Sequence, residues 1–532
     1  MWGDSGNLLL RLSHNQEEVA AYNEAVEKGE DDLPDVTCYV RVGQPRIVYG
    51  ISESVYDQLT AVSYDTLCRQ KLFAADFDAV TSIDVALNGE NYSGVPINAE
   101  KKLRVKEEYD MNPNSTTYQA YVQILKEELL PAMGCTEPIA IAYCAAVSRA
   151  ALGGLPDKVR IVVSGNIVKN VKSVIVPNTG NRKGLTAAAA IGILGGDEQA
   201  ELEVISRVSR ETIEKLPAYL DATTFEIVPV ERGFLLDIEI ICSRGTDTAT
   251  ARIVQEHTNI ILVEKNGTVL YHKDPQPELA DDDSEHLSLR GIYDFVQSCD
   301  LADIAPLLER QIADNTAIAE VGLRGQYGAA IGALLLGDGR ATAKEKARAY
   351  ASAGSDARMN GCEMPVVINS GSGNQGMTVS LPVIVYAREL GVSHERLLRA
   401  LLLSNLLSLH EKKSIGRLSA YCGAVSAGAA AGAGIAYLHG ASFEDITKTL
   451  ENALAMSAGI VCDGAKSSCA GKISLAVEAG IMGFEMAQRG RNFPEDDGLL
   501  CRDPENSLDH FGRLARVGMR ETDTEIIRMM TE

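Results

Sequence analysis

The chain has 532 residues, 45% of them apolar, enough to bury substantial cores, and its length implies two to four domains. Its 73 Asp and Glu outnumber 50 Lys and Arg, giving a formal charge of -23. That balance, with no basic arm or Lys/Arg-rich tract, argues against a nucleic-acid partner, because such binding rests on concentrated positive charge.

The opening Met1-Trp2-Gly3-Asp4-Ser5-Gly6 has no basic stretch followed by a long apolar one, so a secretory signal is not expected and the cytoplasm is the default. Eleven cysteines at irregular spacing do not read as a disulfide framework. They read as free thiols, available as metal ligands.

Residues 1–113 form an expected N-terminal α/β extension of unknown role. It has an acidic loop at Glu27 to Asp35, strand-like pieces such as Val36 to Val42, and a polar exit through Asn112-Pro113-Asn114-Ser115. Its cysteines, Cys38 and Cys68, lack ligand spacing. From Thr116 the pattern turns helical: Tyr118, Tyr121, Val122, Leu125 and Leu129 recur at three and four, and Pro131 stops the run.

A turn carrying Cys135 follows, then a helix from about Glu137 to Leu152. Val159 to Val163 and Val171 to Val176 are expected as short strands, and Thr186 to Leu194 as an Ala-rich helix. Between Ala218 and Lys273 the period changes to two. Strands are expected over Thr224 to Val230, Phe234 to Cys242, Thr248 to Val254, Ile260 to Glu264 and Val269 to His272, with Lys265-Asn266-Gly267 turning the last hairpin.

The acidic loop Glu278 to Asp283 then returns the chain to helices. The expected fold class is α+β. A mainly helical core (114–217 and 284–532) carries an inserted antiparallel sheet subdomain (218–283), beside the N-terminal extension.

Leu418 to Leu438 carries no charge over 21 residues, long enough to cross a bilayer. It holds eight Ala and four Gly but few large aliphatic side chains, so transfer into lipid would be weak. A tightly packed buried helix is expected instead, and no membrane partner.

Several segments are candidates for chemistry. Ser352 to Met359, including Arg358, and then Asn369 to Gly376 are rich in Gly, Ser and Asn, which reads as exposed loop rather than core. Such a loop can hold a carboxylate or phosphate if it opens a helix. Gly371-Ser372-Gly373-Asn374-Gln375-Gly376 lacks the Lys of a P-loop, so it is no nucleotide motif. His257 at a sheet edge is expected to be structural. Lys172, Arg182 and Lys183 flank the turn Pro177 to Gly180 and are expected to be solvated.

Cys144, Cys242 and Cys299 lie in apolar periodic stretches and read as packing thiols, whereas Cys362 and Cys501 read as loop thiols. Cys422, Cys462 and Cys469 differ. The last two enclose Asp463-Gly464-Ala465-Lys466-Ser467-Ser468, a polar loop able to wrap a metal group, and Cys422 lies 40 residues upstream in a small-residue stretch. Spacing alone leaves open a structural zinc with four closed ligands.

Five motifs occur in order: Gly134-Cys135-Thr136-Glu137-Pro138, Ser355-Asp356-Ala357-Arg358-Met359, Asn369 to Gly376, Ser419-Ala420-Tyr421-Cys422 and Cys462 to Cys469. On them, the chain from about residue 116 onward resembles the L-cysteine desulfidases of the serine dehydratase alpha-chain superfamily. Glu521 to Ile527 resembles that family's ending.

The resemblance implies a pyridoxal-phosphate-independent lyase with a 4Fe-4S cluster, converting L-cysteine and water to pyruvate, ammonia and sulfide. It implies metal ligands Cys422, Cys462 and Cys469, with Cys135 either completing the cluster or acting in acid-base chemistry. It also implies a small amino-acid substrate whose carboxylate sits on Ser370, Gly371, Ser372, Gly373, Asn374 and Gln375, assisted by Arg358. Iron-sulfur serine dehydratase is the nearest alternative; a non-catalytic metal-binding protein and a retired enzyme serving only as a packing scaffold are more distant ones, and a homo-oligomer is compatible with any of them.

Overall fold

In the computed structural model the described residues are 9–11, 38–42, 47–51 and, from 111 onward, all but 112, 114, 276–286, 338, 417–418 and 532. The acidic loops at 27–35 and 278–283, and Cys68, lie outside them. The chain divides into two units, Met1–Tyr109 and Asp110–Glu532. The first contains a three-stranded antiparallel sheet of β1 (Leu9–Arg11), β2 (Cys38–Val42) and β3 (Ile47–Ile51).

The second unit is α+β. It opens with α1 (Thr116–Glu128), capped by the Ser115 hydroxyl, which accepts from the Tyr118 N–H. β4 (Pro131–Met133) leads into α2 (Thr136–Leu152), ended by Gly153 in the left-handed conformation. β5 (Lys158–Ser164), α3 (Gly165–Val171), α4 (Gly184–Gly195) and α5 (Arg210–Ala222) follow.

The alternating segment forms β6 (Thr224–Val230), β7 (Asp237–Arg244), β8 (Asp247–Val254), β9 (Ile260–Lys265) and β10 (Thr268–His272). Together with β5 they make a six-stranded sheet in the order β10-β9-β8-β7-β5-β6. The sheet is mixed rather than purely antiparallel, because β5 pairs parallel with β6. It therefore draws a strand from before residue 218. The Val171 to Val176 run is not a strand: α3 ends at Val171, and only Ile175 makes an isolated bridge, to Lys183. Lys172 and Ser173 interrupt the apolar run before it can pair.

The remainder is helical: α6 (Leu289–Ser298), α7 (Ala305–Gly322), α8 (Ile331–Leu336), α9 (Ala343–Met359), α10 (Gly373–Leu390), α11 (His394–Ile415), α12 (Gly423–Leu438), α13 (Phe443–Ser457), α14 (Cys469–Gln488), α15 (Pro504–Arg513) and α16 (Arg520–Thr531). A short strand β11 (Pro365–Val367) pairs with β4 and ties the loop before α2 to the loop before α10.

The charge-free helix α12 is buried throughout most of its length at the centre of this bundle. Its glycines permit backbone contact with α14. A Cβ on Gly428 would lie 2.4 Å from the Ala476 carbonyl oxygen, and one on Gly432 2.3 Å from that of Gly480. Among the described residues no helix is long and apolar enough to cross a membrane.

Ser352 to Met359, expected as exposed loop, is the buried last half of α9. Its small residues are the signature of close helix packing, not of a surface turn. Asn369 to Gly376 is also largely buried, as a turn that enters α10. Cys144, Cys242 and Cys299 are buried, and so is Cys362, whereas Cys501 Sγ lies 3.3 Å from His510 Nδ1.

Candidate functional site

Four helix starts meet at one cavity of about 110 Å³. Cys135 is the N-cap of α2, Ser372 the N-cap of α10, Cys422 the N-cap of α12, and Cys469 the first residue of α14. Cap positions normally carry Ser, Thr, Asn or Asp, whose oxygens bond the free N–H groups. Cys135 and Cys422 make no such side-chain bond, so the thiols face other work while the positive helix ends favour anionic guests.

The cavity is lined by Cys135, Arg358, Ser372, Asn374, Gln375, Cys422, Cys462 and Cys469, and also by Glu137, Asn170, Lys412 and Tyr421. The structure thus gathers eight of the residues singled out from sequence. Ser370, Gly371 and Gly373 do not line it. They shape its wall: Ser370 and Gly371 turn the chain with positive φ, and a Cβ on Gly373 would come within 2.4 Å of Arg358 Nε. His257, Lys172, Arg182 and Lys183 lie elsewhere; Lys172 Nζ donates to the Met530 carbonyl.

Cys422 and Cys462 flank an antiparallel bridge between Tyr421 and Val461, with the Cys422 N–H donating to Ile460 O at 3.1 Å and that of Cys462 to Ala420 O at 2.6 Å. After Cys462 the loop turns at Gly464, φ +89°, pressed against the Lys169 carbonyl of α3. Burial, and then the neighbouring thiol of Cys462, push the Cys422 thiol up to about 12, with Cys469 adding to the rise. Burial raises Cys469 as well.

Ionising Cys422 or Cys469 calls for a nearby cation. Lys472 supplies part of one: burial alone would lower its pKa, but its ion pair with Asp463 and the thiols of Cys422 and Cys462 raise it. A metal bound there would reverse the preference of Cys422 and Cys469 for the protonated state.

Among the described residues, no three His, Cys, Asp or Glu side chains close around a single metal ion. A cluster instead takes one thiolate per iron, and its ligands stand apart. Cys422, Cys462 and Cys469, which line the same cavity, fit such a group in donor chemistry.

Cys469 packs against Cys135, whose Sγ donates to Glu137 Oε2 at 3.2 Å, as does Thr136 Oγ1 at 3.1 Å, while Asn170 Nδ2 donates to Glu137 Oε1 at 3.0 Å. Burial, then the Glu137 charge, hold the Cys135 thiol well above its ordinary range; Arg358 works against them. Arg358 is 1% exposed and its Nε donates to Gly134 O at 3.0 Å. Its Nη2, with Asn374 Oδ1 and Gln375 Oε1, is buried without a protein partner. A guanidinium donor beside two amide acceptors matches a carboxylate and an ammonium on one small molecule.

Sequence reasoning missed Glu137, Asn170, Lys412 and Tyr421. Glu137 and Tyr421 stand in two of the motifs quoted from the sequence without being given a role; Glu137 had the further signal of an acid in the first turn of a helix, two residues after a cysteine.

Residues 183–528 match the serine dehydratase alpha chain family. The chain belongs to that family. It is 50% identical over 415 residues to a UPF0597 protein of Desulfitobacterium hafniense, a match covering 78% of this chain and 96% of the relative. A UPF0597 protein of Treponema denticola is 43% identical over 429 residues, covering 79% and 99%. The family match takes in α9, α10, α12 and α14, and with them every candidate site residue except Cys135 and those near it in α2 and α3.

Proposed function

We propose that this member of the serine dehydratase alpha chain family is an iron-sulfur lyase that carries out α,β-elimination on L-cysteine, yielding pyruvate, ammonia and sulfide. The observation that carries the reading is the meeting of Cys422, Cys462 and Cys469 with Cys135, Arg358, Asn374 and Gln375 around one cavity, from five separate stretches of chain. Family membership supports lyase chemistry; the cysteine substrate and the cluster are the finer proposal.

Cys422, Cys462 and Cys469 would hold a 4Fe-4S cluster, whose open iron supplies a Lewis acid for a poor leaving group when bound. The protein's own groups do the rest. Arg358 and the start of α10 pair with the substrate carboxylate, and the Asn374 and Gln375 oxygens accept from its ammonium. Cys135 first passes its thiol proton to the Glu137 carboxylate it donates to, and the resulting thiolate then takes the α-proton. Expulsion of HS⁻ leaves aminoacrylate, which tautomerises and hydrolyses to pyruvate and ammonia without further help.

The family description favours a second reading in which serine is the substrate and water leaves. An anaerobic assay of reconstituted protein for sulfide from cysteine and pyruvate from serine separates them. A kcat/KM for cysteine above that for serine is expected, and a strong preference for serine would replace the first reading with the second.

A further inference from the structure

A buried ion pair joins the C-terminal helix to the wall of the site. Lys169 Nζ in α3 lies 2.5 Å from Asp523 Oδ1 in α16, and the two side chains are 1% and 12% exposed. Neither lines the cavity, and the chemistry above uses neither. Yet Lys169 stands between two parts of the site. Its carbonyl oxygen touches the cysteine loop at Gly464, where a Cβ would come within 2.2 Å, and the next residue, Asn170, donates to Glu137.

The pair is a poor device for stability alone. Burying two charges costs most of what their attraction returns, and apolar residues of the same size commonly do as well. The helices also have other holds: Ile527 of α16 packs on Gly165, whose Cβ would lie 3.1 Å from Ile527 Cγ2, and Lys172 donates to Met530 O. What an ion pair adds is register, because it is satisfied only at one setting of α16 along α3.

We propose that Asp523 is a positioning residue of the site, acting through Lys169 to set α3 so that its backbone supports the Gly464 turn and Asn170 meets Glu137. The inference rests on the lyase reading only for its kinetic consequence.

The test compares full-length Asp523→Asn and Lys169→Met with Ile527→Ala, which loosens the same helix without touching the pair. In metal-free protein, modification of Cys135 by N-ethylmaleimide is followed by peptide mapping, which needs no lyase activity. In reconstituted protein, kcat and KM are measured. Both pair variants are expected to label at Cys135 at least about tenfold faster than wild type and to lose about 10- to 100-fold in kcat with KM little changed, as for lost supporting partners of a metal site. Ile527→Ala is expected to change neither by more than about threefold at a similar loss of melting temperature.

Equal labelling across the three variants at matched melting temperature would overturn the proposal. So would a stably folded Lys169→Met with wild-type labelling, which also decides the matter if Asp523→Asn does not fold. Absence of lyase activity in every protein, wild type included, would count against the function and leave the labelling result to judge the pair.

Discussion

Cys135 Sγ donates to Glu137 Oε2 across 3.2 Å at the head of α2, while Asn170 fixes the other carboxylate oxygen at 3.0 Å. A thiol two residues from a carboxylate at a helix start is thereby held as a proton-sharing pair. Glu137→Gln keeps the size and the Thr136 contact but removes the charge. It is expected to lower kcat by about 100-fold or more, with KM within about threefold, the pattern of a lost proton-transfer partner. Steady-state kinetics with cysteine check this, and an unchanged kcat would remove Glu137 from the chemistry.

Arg358 offers a buried Nη2 with no protein partner beside the helix start at Ser372. Arg358→Lys keeps the positive charge but loses the planar fork. KM for the amino acid is expected to rise about tenfold, some 1.4 kcal/mol, with a smaller change in kcat. A fall in kcat alone, with KM unchanged, would place the substrate carboxylate elsewhere.

Gly464 joins positive φ to backbone contact with Lys169. Gly464→Ala combines a strained conformation with overpacking, each costing about 1–3 kcal/mol. Loss of melting temperature together with weaker iron retention is expected. Normal iron content in a destabilised variant would separate the turn from the metal site.

Asp356 is buried in α9, accepting from the Gly332 N–H at 3.0 Å with its other oxygen unpartnered. Burial pushes its carboxyl up to about 6, against backbone N–H groups that lower it. Because the folded state binds this proton more tightly than the unfolded chain, the group's contribution to stability falls as pH rises from about 4 to about 6 and stays lost above that. Asp356→Asn is therefore expected to gain melting temperature relative to wild type at pH 7, with the gain shrinking toward pH 4. A difference independent of pH would contradict the assignment.

The fold was legible where periodicity was strong. α1 announces itself by three-four spacing, a Ser115 cap and a Pro131 stop, and β6 to β10 by alternation and an Asn-Gly turn. It was illegible where helices are buried on every side. Ser352 to Met359 has no amphipathic stripe because α9 is surrounded there, so composition pointed to loop when packing required small residues.

The site followed the same division. Three cysteines and a Gly-Ser-Asn turn could be picked out because their residue types are unusual in such runs. Asn170 and Lys412 are ordinary residues whose importance comes from where the chain folds, and Lys169 finds Asp523 across 354 positions, a relationship no local pattern carries.

The most direct test of the central claim is the iron and acid-labile sulfide content of anaerobically reconstituted, desalted protein, measured for wild type and Cys462→Ala. About four of each per chain are expected in the wild type, and a clear loss of both in the variant. Equal iron in the two proteins, or zinc in place of iron, would contradict it.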